Sequence, residues 1–424
     1  MRVQLSRAAR LLLLLCMPLI PALGCTPVAQ AAGGLAALQG DLGRQLQAAG
    51  PYSGAYVYDL TAHKVLFSER AADMRAPASV EKLFTATALL ARLGPGYRFV
   101  TSVLGSGRMA PGGVWEGDVH LRGGGDPTFG SSAYIGHHYG GLGSSVSVLA
   151  RQLAHVDGIR AITGRVEGDE SLFDTRRGEP SSAYAPDPFL EGSLSALAFD
   201  RGRTGNERGL HAPAAYAARA LRSALKAAGV SVRGSSGAAG TPLGSLPLAT
   251  VSSPTVSQLL GLMLPPSDNF FAEMLLKGLG ARLAGAGTTS AGARVASRAM
   301  TSLLGIHPRI LDGSGLSESD RTSPYQVADL LVALYPTPIG AALRENMAIA
   351  GRTGTLELRM RRTAAAGRCI GKTGTLTGVS NLVGYCPSRD GHELAFAIFN
   401  DGISTLAART FQDHIAITLA GSTL

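Results

Sequence analysis

Strand-like segments lie at both ends of this 424-residue chain, and this arrangement restricts the fold more than any other sequence feature. Residues 54–60 and 63–69 alternate apolar and polar side chains around a tight turn, which predicts a β-hairpin. Residues 368–376, 378–386 and 393–400 show the same strand texture far along the chain. Helical patterns flank both groups. We therefore expect an α+β fold whose antiparallel sheet, lying between helices, is assembled from both chain ends.

The segment from 97 to 247 has a different texture, with short strands and glycine-rich turns but few helices. It is predicted to form an inserted β-rich domain. The flanking segments, 32–96 and 248–424, are predicted to form the other domain, since the chain is longer than one average domain. Apolar residues at helical spacing predict one helix over 35–49 and another, apolar on most of its surface, after Ser79.

The first 31 residues have the pattern of a secretory signal peptide. Arg2, Arg7 and Arg10 precede a short apolar run, and small residues follow it. Cleavage near Ala32 is the favoured interpretation, while Cys25 lies in an imperfect lipoprotein-type box and keeps a lipid anchor open. Either route predicts secretion across the cytoplasmic membrane, into a periplasm or cell-wall space.

Two cysteines lie outside this leader, Cys369 and Cys386, and they flank the stretch GKTGTLTGVSN. In an oxidising compartment they could form a disulfide. If the strands between them pair as a hairpin, the two residues fall nearly opposite one another, at a separation that a modest adjustment would close. Two small buried thiols in adjacent strands are the alternative.

Composition and motifs argue against several classes of function. The formal net charge is +9, but the longest basic cluster has no interleaved aromatic residues and the chain contains one Trp, so nucleic-acid binding is not expected. The nine histidines form no His-Glu-x-x-His, so no metal is expected. The chain also lacks the glycine-rich phosphate-binding loop. We therefore expect no cofactor.

Two nearly identical segments raise the question of which one carries chemistry. GRTGTLEL occupies 351–358 and GKTGTLTG occupies 371–378. The second copy lies in predicted strands, and the ammonium of its Lys372 is compact and can shift its pKa, whereas Arg352 of the first copy stays charged. Lys372 is therefore the better candidate for a proton network. The first copy is interpreted as a structural turn at a helix end.

Two further motifs give Lys372 companions. Ser79 and Lys82 lie one helical turn apart, so a desolvated lysine could act as the base for a serine nucleophile. Ser267, the expected N-cap of the next helix, offers a hydroxyl that can relay a proton, and Asn269 offers an amide. Each motif alone is weak. Together, the order Ser-x-x-Lys, Ser-Asp-Asn, Lys-Thr-Gly is the motif set of class A β-lactamases and penicillin-binding proteins.

With these motifs the chain resembles the penicillin-binding D-alanyl-D-alanine carboxypeptidases of the peptidase S13 family, the DacB or class C low-molecular-mass type. Further segments that support this resemblance are GGGDPTF, ITGRVEGDESLFD, LSALAFDRG, LDGSGLS and AGRTGTLELRM. The last corresponds to a non-catalytic segment of the family. One departure is the short segment between Lys82 and Ser267, since the family usually inserts two domains there. The resemblance therefore implies that one of them is reduced or absent.

The resemblance implies a serine β-lactamase/penicillin-binding transpeptidase-like domain, and it assigns roles residue by residue. Three residues would carry acylation and proton transfer: Ser79 as nucleophile, Lys82 as its base and Ser267 as relay. Four would bind the substrate: Asn269 at its amide, Lys372 and Thr373 at its terminal carboxylate, and Thr375, with Ser79, at the oxyanion through backbone N–H groups. The implied partner is the peptidoglycan stem peptide ending in D-Ala-D-Ala, and β-lactam antibiotics would acylate Ser79.

Two other functions use the same fold. A β-lactamase shares the acylation residues, but the Glu-x-x-Leu-Asn loop of the class A enzymes is missing from the sequence. A non-catalytic wall-binding protein would not need all three motifs intact. The balance of carboxypeptidase and endopeptidase action, the diamino acid of the substrate and the oligomeric state stay open.

Overall fold

Strands from both ends of the chain form one six-stranded antiparallel sheet in the computed structural model, which describes residues 34–203 and 209–424. The leader expected at 1–31 lies outside the described residues. In spatial order, the strands are β10 (Ala348–Ile349), β11 (Ile370–Leu376), β12 (Val379–Pro387), β13 (Glu393–Asp401), β1 (Ser53–Asp59) and β2 (Lys64–Glu69). β1 pairs with β13, which joins the early strands to the late ones and confirms that the sheet is assembled from both chain ends.

Helices cover both faces of this sheet. On one face, α1 (Leu35–Ala48) and α11 (Thr405–Gly421) pack on apolar residues of β1, β12 and β13. The opposite face packs on the larger core cluster, which contains most of the remaining helices. Because both faces are covered, β12 and β13 are buried along nearly their whole length. This explains why residues 394–399 of β13 are continuously apolar.

The helices of the second face come from several parts of the chain. They are α2 (Lys82–Arg92), α6 (Val256–Met263), α7 (Asn269–Leu283), α8 (Thr289–Leu304), α9 (Pro324–Leu334) and α10 (Pro338–Glu345). No single helix within the described ranges is long and apolar enough to cross a membrane, although α9 and α10, bent by 113°, meet the length and composition criteria as a pair.

The segment between the chain ends contains a second, seven-stranded sheet. Its strands are β3 (Val100–Ala110), β4 (Val114–Arg122), β5 (Ala161–Ile162), β6 (Val166–Asp169), β7 (Ser231–Val232), β8 (Ser236–Ala238) and β9 (Leu246–Ser252). The same segment contains three helices: α3 (Ser132–Tyr139), α4 (Val146–His155) and α5 (Pro213–Ala227). α4 and α5 pack on this sheet, whereas α3 packs on the larger core cluster. We expected few helices in this segment, but it contains more helical structure than its sequence texture indicated. An alanine-rich run that starts with proline, such as α5, is a strong helix signal that the glycine-rich turns obscured.

A disulfide joins Cys369, the residue before β11, to Cys386 in β12. The strand register pairs Ile370 with Tyr385, so the two cysteines are the next opposed residues. Both are buried in the cluster beneath α1 and α11. The bond therefore closes the end of the β11–β12 hairpin that lies remote from its turn.

Loss of this disulfide is expected to lower the free energy of unfolding by about 3 kcal/mol, because the bond closes a loop between residues 17 positions apart. Thermal unfolding with and without reductant measures the effect. The double variant Cys369→Ser/Cys386→Ser is the control, since its melting temperature should not respond to reductant. Recovery of two separately alkylated cysteine peptides from protein made under oxidising conditions would contradict the expectation.

Candidate active site

The serine of the first motif lies in a 3-10 turn, Ala78–Glu81, that leads into α2. Ala78 has φ = 47°, a left-handed conformation that is strained for a residue with a side chain. This turn presents Ser79 to Lys82, whose Nζ donates hydrogen bonds to Ser79 Oγ at 2.8 Å and to Asn269 Oδ1 at 2.7 Å. A third bond, also 2.7 Å, goes to the carbonyl oxygen of Ser314. All three protons of the ammonium thus have an acceptor.

Burial makes Lys82 a base near neutral pH. Its side chain is fully buried, and this burial lowers its pKa to about 8, while four nearby carboxylates partly oppose the shift. These carboxylates belong to Asp312, Asp268, Glu273 and Glu81. A lysine with this pKa is partly neutral just below pH 8 and can accept the proton of Ser79 Oγ.

Ser267 follows the break after α6, but it is not the N-cap of α7 as expected. The cap is Asp268, whose carboxylate accepts a hydrogen bond from Phe271 N at 2.9 Å. Asp268 has the extended backbone typical of a cap, whereas Ser267 has φ = 66°. Because capping falls to Asp268, the hydroxyl of Ser267 is available to accept a hydrogen bond from Lys372 Nζ at 2.8 Å.

The inserted segment holds the Ser-Asp-Asn motif in place. Arg201, which is buried, forms two hydrogen bonds with the Asp268 carboxylate at 2.6 and 3.1 Å. Its guanidinium also lies 4.7 Å from the ring centroid of Phe270. Asn269 Nδ2 donates to the carbonyl oxygen of Phe189 at 2.8 Å. No role for Arg201 was predicted, although it lies within the quoted segment LSALAFDRG.

The Lys-Thr-Gly motif lies on β11, next to the Ser79 turn. Lys372 is fully buried, and this burial, together with the nearby Lys82, lowers its pKa well below the ordinary value. A side chain on Gly374 would place its Cβ 2.5 Å from the carbonyl oxygen of Pro77, so glycine lets β11 approach the turn. Thr375 and Ser79 line the same cleft, as their predicted pairing around an oxyanion requires.

The first near-copy forms a 3-10 turn, Gly354–Leu356, as its interpretation as a turn suggests, but it also reaches the site. Thr355 Oγ1 accepts a hydrogen bond from Thr373 Oγ1 at 2.8 Å, and Thr355 N donates to Pro265 O at 3.0 Å. Arg352 is exposed and lies over Gly367. The contact of Thr355 was missed because sequence comparison of the copies considered only their basic residues.

These motifs meet at a cleft of about 950 Å³. Its lining includes Ser79, Asn269 and Thr375, together with Phe189, Leu316 and Glu318. The cleft therefore exposes a serine hydroxyl that contacts a buried lysine, next to the edge of β11. Across residues 34–203 and 209–424, three or more His, Cys, Asp or Glu side chains are nowhere grouped to hold a metal ion.

Comparisons with known proteins agree with this geometry. A family model described as the D-Ala-D-Ala carboxypeptidase 3 (S13) family matches residues 41–204 and 189–421. A D-alanyl-D-alanine carboxypeptidase of an Actinomadura species is 31% identical, covering 97% of this chain and 90% of the relative. Carboxypeptidase DacB of Mycolicibacterium smegmatis is also 31% identical, covering 81% of this chain and 75% of the relative.

Among solved structures, penicillin-binding protein 4 (dacB) of Haemophilus influenzae has a TM-score of 0.74 at 21% identity, covering 88% of this chain and 97% of that one. A penicillin G-acylated predatory endopeptidase of Bdellovibrio bacteriovorus has a TM-score of 0.55 at 17% identity, covering 87% and 93%. These likenesses confirm the predicted fold class, a penicillin-binding peptidase domain with a second sheet. The match of the family model over most of the chain, with a relative 31% identical over 97% of it, shows that the chain belongs to the D-Ala-D-Ala carboxypeptidase 3 (S13) family.

Proposed function

We propose that this chain is a serine-type D-Ala-D-Ala carboxypeptidase that cleaves peptidoglycan stem peptides through an acyl-enzyme on Ser79. The observation that carries the proposal is the contact of 2.8 Å between Lys82 Nζ and Ser79 Oγ, with a second lysine–serine pair, Lys372 and Ser267, beside it. The names of the relatives support the same reaction class.

Acylation follows from these two pairs. Neutral Lys82 takes the proton of Ser79 as Oγ attacks the carbonyl carbon between the two D-alanines. The backbone N–H groups of Ser79 and Thr375 stabilise the negative charge on the carbonyl oxygen. As the C–N bond breaks, the leaving nitrogen takes a proton from Ser267, which regains one from Lys372 across their 2.8 Å hydrogen bond. The first product is free D-alanine.

Deacylation returns the enzyme to its starting state. A water molecule loses a proton to the relay and attacks the ester carbon, and Ser79 leaves with a proton from Lys82. A cross-linked stem peptide would react in the same way at its D-Ala-containing bond, which gives endopeptidase action. A β-lactam carries a strained amide and a carboxylate in similar positions, and it acylates Ser79 without releasing a leaving group.

We further propose that the protein acts outside the cytoplasm, in a periplasm or cell-wall space. The leader pattern of residues 1–31 supports secretion, and Cys25 supplies a lipid-anchoring alternative to cleavage near Ala32. A peptidoglycan substrate is found in the same compartment.

Release of D-alanine from a synthetic stem pentapeptide tests the proposal. We expect stoichiometric labelling by penicillin, slow hydrolysis of the drug and a kcat/KM that falls as pH drops below about 8, because Lys82 is then protonated and cannot act as a base. A folded protein that hydrolyses penicillin rapidly but releases no D-alanine would instead be a β-lactamase. A folded protein that neither binds penicillin covalently nor releases D-alanine would be a non-catalytic wall-binding protein.

A further inference from the structure

Residues 311–317, the quoted segment LDGSGLS, form a loop that contacts Lys82. Its Ser314 carbonyl oxygen is one of the three acceptors of Lys82 Nζ. We infer that Glu273 on α7 is a positioning residue for Lys82, and that it acts by holding this carbonyl in place. The inference rests on the proposed function, since it concerns the base of the same reaction.

Glu273 reaches the loop through two backbone amides. Its Oε1 accepts hydrogen bonds from Gly313 N and Ser314 N, both at 2.8 Å. Glu273 lies one helical turn after Asn269, whose Oδ1 is itself an acceptor of Lys82. One face of α7 thus positions two of the three acceptors of Lys82: Asn269 Oδ1 directly and the Ser314 carbonyl oxygen through the loop.

The Ser314 carbonyl matters most when Lys82 is neutral. A neutral amine keeps two N–H donors and one lone pair. If the two donors stay on Asn269 Oδ1 and Ser314 O, the lone pair faces Ser79 Oγ, the atom whose proton it must accept. Displacement of the Ser314 carbonyl would free one N–H group, so the lone pair would lose its fixed direction toward Ser79.

Other contacts make the loop a rigid support for the nucleophile turn. Thr85 Oγ1 on α2 donates to Gly313 O at 3.1 Å. Asp312 accepts from Gly315 N at 2.6 Å and from Ser317 N at 2.7 Å. Gly315 has φ = 78°, and a Cβ there would lie 1.9 Å from the carbonyl oxygen of Ala78. The loop therefore packs directly against the turn that carries Ser79.

The chemistry of Glu273 suits an acceptor rather than a charge. It is fully buried, and its Oε2 has no hydrogen-bond partner among the described residues. A buried, incompletely paired carboxyl group is costly for folding, which favours a functional reason for its presence. Burial, followed by repulsion from Asp312, raises the pKa of Glu273 to about 8. Near neutral pH its Oε1 is thus mainly the acceptor of a neutral group, a role that a glutamine amide oxygen can reproduce.

The variants Glu273→Gln and Glu273→Ala separate this role from simple packing. The measurement is the rate constant of acylation by a fluorescent penicillin as a function of pH, normalised to titrated active sites in the full-length protein. Glu273→Gln should acylate within about threefold of wild type, because it keeps the acceptor. Glu273→Ala should lose about tenfold to a hundredfold, which corresponds to leaving buried hydrogen-bonding groups without a partner.

The pH profile supplies the readout that a packing role would not move. Without the Ser314 acceptor, the charged form of Lys82 loses a hydrogen bond, so the pKa of Lys82 falls. The acidic limb of the pH profile, where the acylation rate constant falls because Lys82 is protonated, should therefore shift by about one unit to lower pH in Glu273→Ala. Both variants remove the carboxyl group of Glu273, which also raises the pKa of Lys82, so the limb of Glu273→Ala is compared with that of Glu273→Gln. The other charged or titratable groups that face Lys82 from neighbouring elements stay the same in both variants. They are Glu81, Asp268, Asp312 and Lys372.

Thr85→Val is a second variant that keeps the test decisive if Glu273→Ala does not fold. It removes only the hydrogen bond from Thr85 Oγ1 to Gly313 O. We therefore expect a smaller loss of acylation rate and a shift of the acidic limb in the same direction. The inference would be overturned if folded Glu273→Ala or Thr85→Val had the acylation rate constant of wild type and the same acidic limb of the pH profile. A lower fraction of active protein, with the acidic limb of the pH profile unshifted, would also overturn the inference. So would a Glu273→Gln variant whose acylation rate constant is as low as that of Glu273→Ala. Failure of the proposed function is distinct, because wild type itself would then not be acylated.

Discussion

Replacement of Ser79 by alanine is expected to abolish covalent labelling by penicillin and to lower kcat/KM for D-alanine release by at least about 10⁴-fold. Ser79 Oγ lies 2.8 Å from the buried Lys82 Nζ, and no other atom in the site combines a hydroxyl with this base. Intact mass measurement of the drug-treated protein, followed by peptide mapping, locates the adduct on wild type and shows its loss in the variant.

Ser267→Ala is the matched control, because Ser267 is the other serine hydroxyl that contacts a buried lysine in the described site. This variant should still be labelled on Ser79, but more slowly, since only the relay is lost. An adduct on Ser267 in wild type would reverse the two roles. A folded wild-type protein that forms no adduct at all would refute the acyl-enzyme mechanism.

Lys372→Ala is expected to lower kcat/KM for D-alanine release by about 10³-fold, a loss in the range seen when one preorganised donor in an active site is removed. Lys372 is fully buried and donates to Ser267 Oγ at 2.8 Å, so its loss breaks the relay and removes a hydrogen-bond donor from the proposed carboxylate-binding position. The measurement is steady-state kinetics on the stem pentapeptide, with circular dichroism to verify folding.

The near-copy supplies the control for this prediction. Arg352 occupies the equivalent position, but it is exposed and lies over Gly367. Arg352→Ala should therefore keep kcat/KM within about threefold of wild type, as is usual for a surface residue that does not touch the reacting groups. Equal losses in two equally folded variants would show that the two copies do not differ in function as proposed.

Local spacing explains which parts of the site could be predicted from sequence. Ser79 and Lys82 are three positions apart on one helical turn, so their contact follows from helix geometry. The alternation around Lys372 placed it on a strand, and the hairpin register placed Cys369 opposite Cys386. The sheet from both chain ends was expected from two early and three late strand patterns, which the pairing of β1 with β13 joins.

Contacts between distant segments could not be predicted in this way. Arg201 meets Asp268, and Thr355 meets Thr373, only after separate elements have packed together. The choice of Asp268 instead of Ser267 as cap was also missed, because both residue types cap helices and the strained backbone at Ser267 has no sequence signature. Tertiary packing, which single-sequence patterns do not describe, decides all three.

The sheet built from both chain ends also sets the order in which the catalytic machinery becomes available. Ser79 and Lys82 are made before Lys372 and before the β13 strand that pairs with β1. At about 5–20 residues per second, roughly a quarter of a minute to a full minute of synthesis separates them. Until residues 269 and 314 have been made, Lys82 lacks two of its three acceptors, and until residue 372 has been made the contact between Lys372 and Ser267 is missing. A chain that is terminated before residue 372 is therefore expected to lack the relay of the proposed reaction.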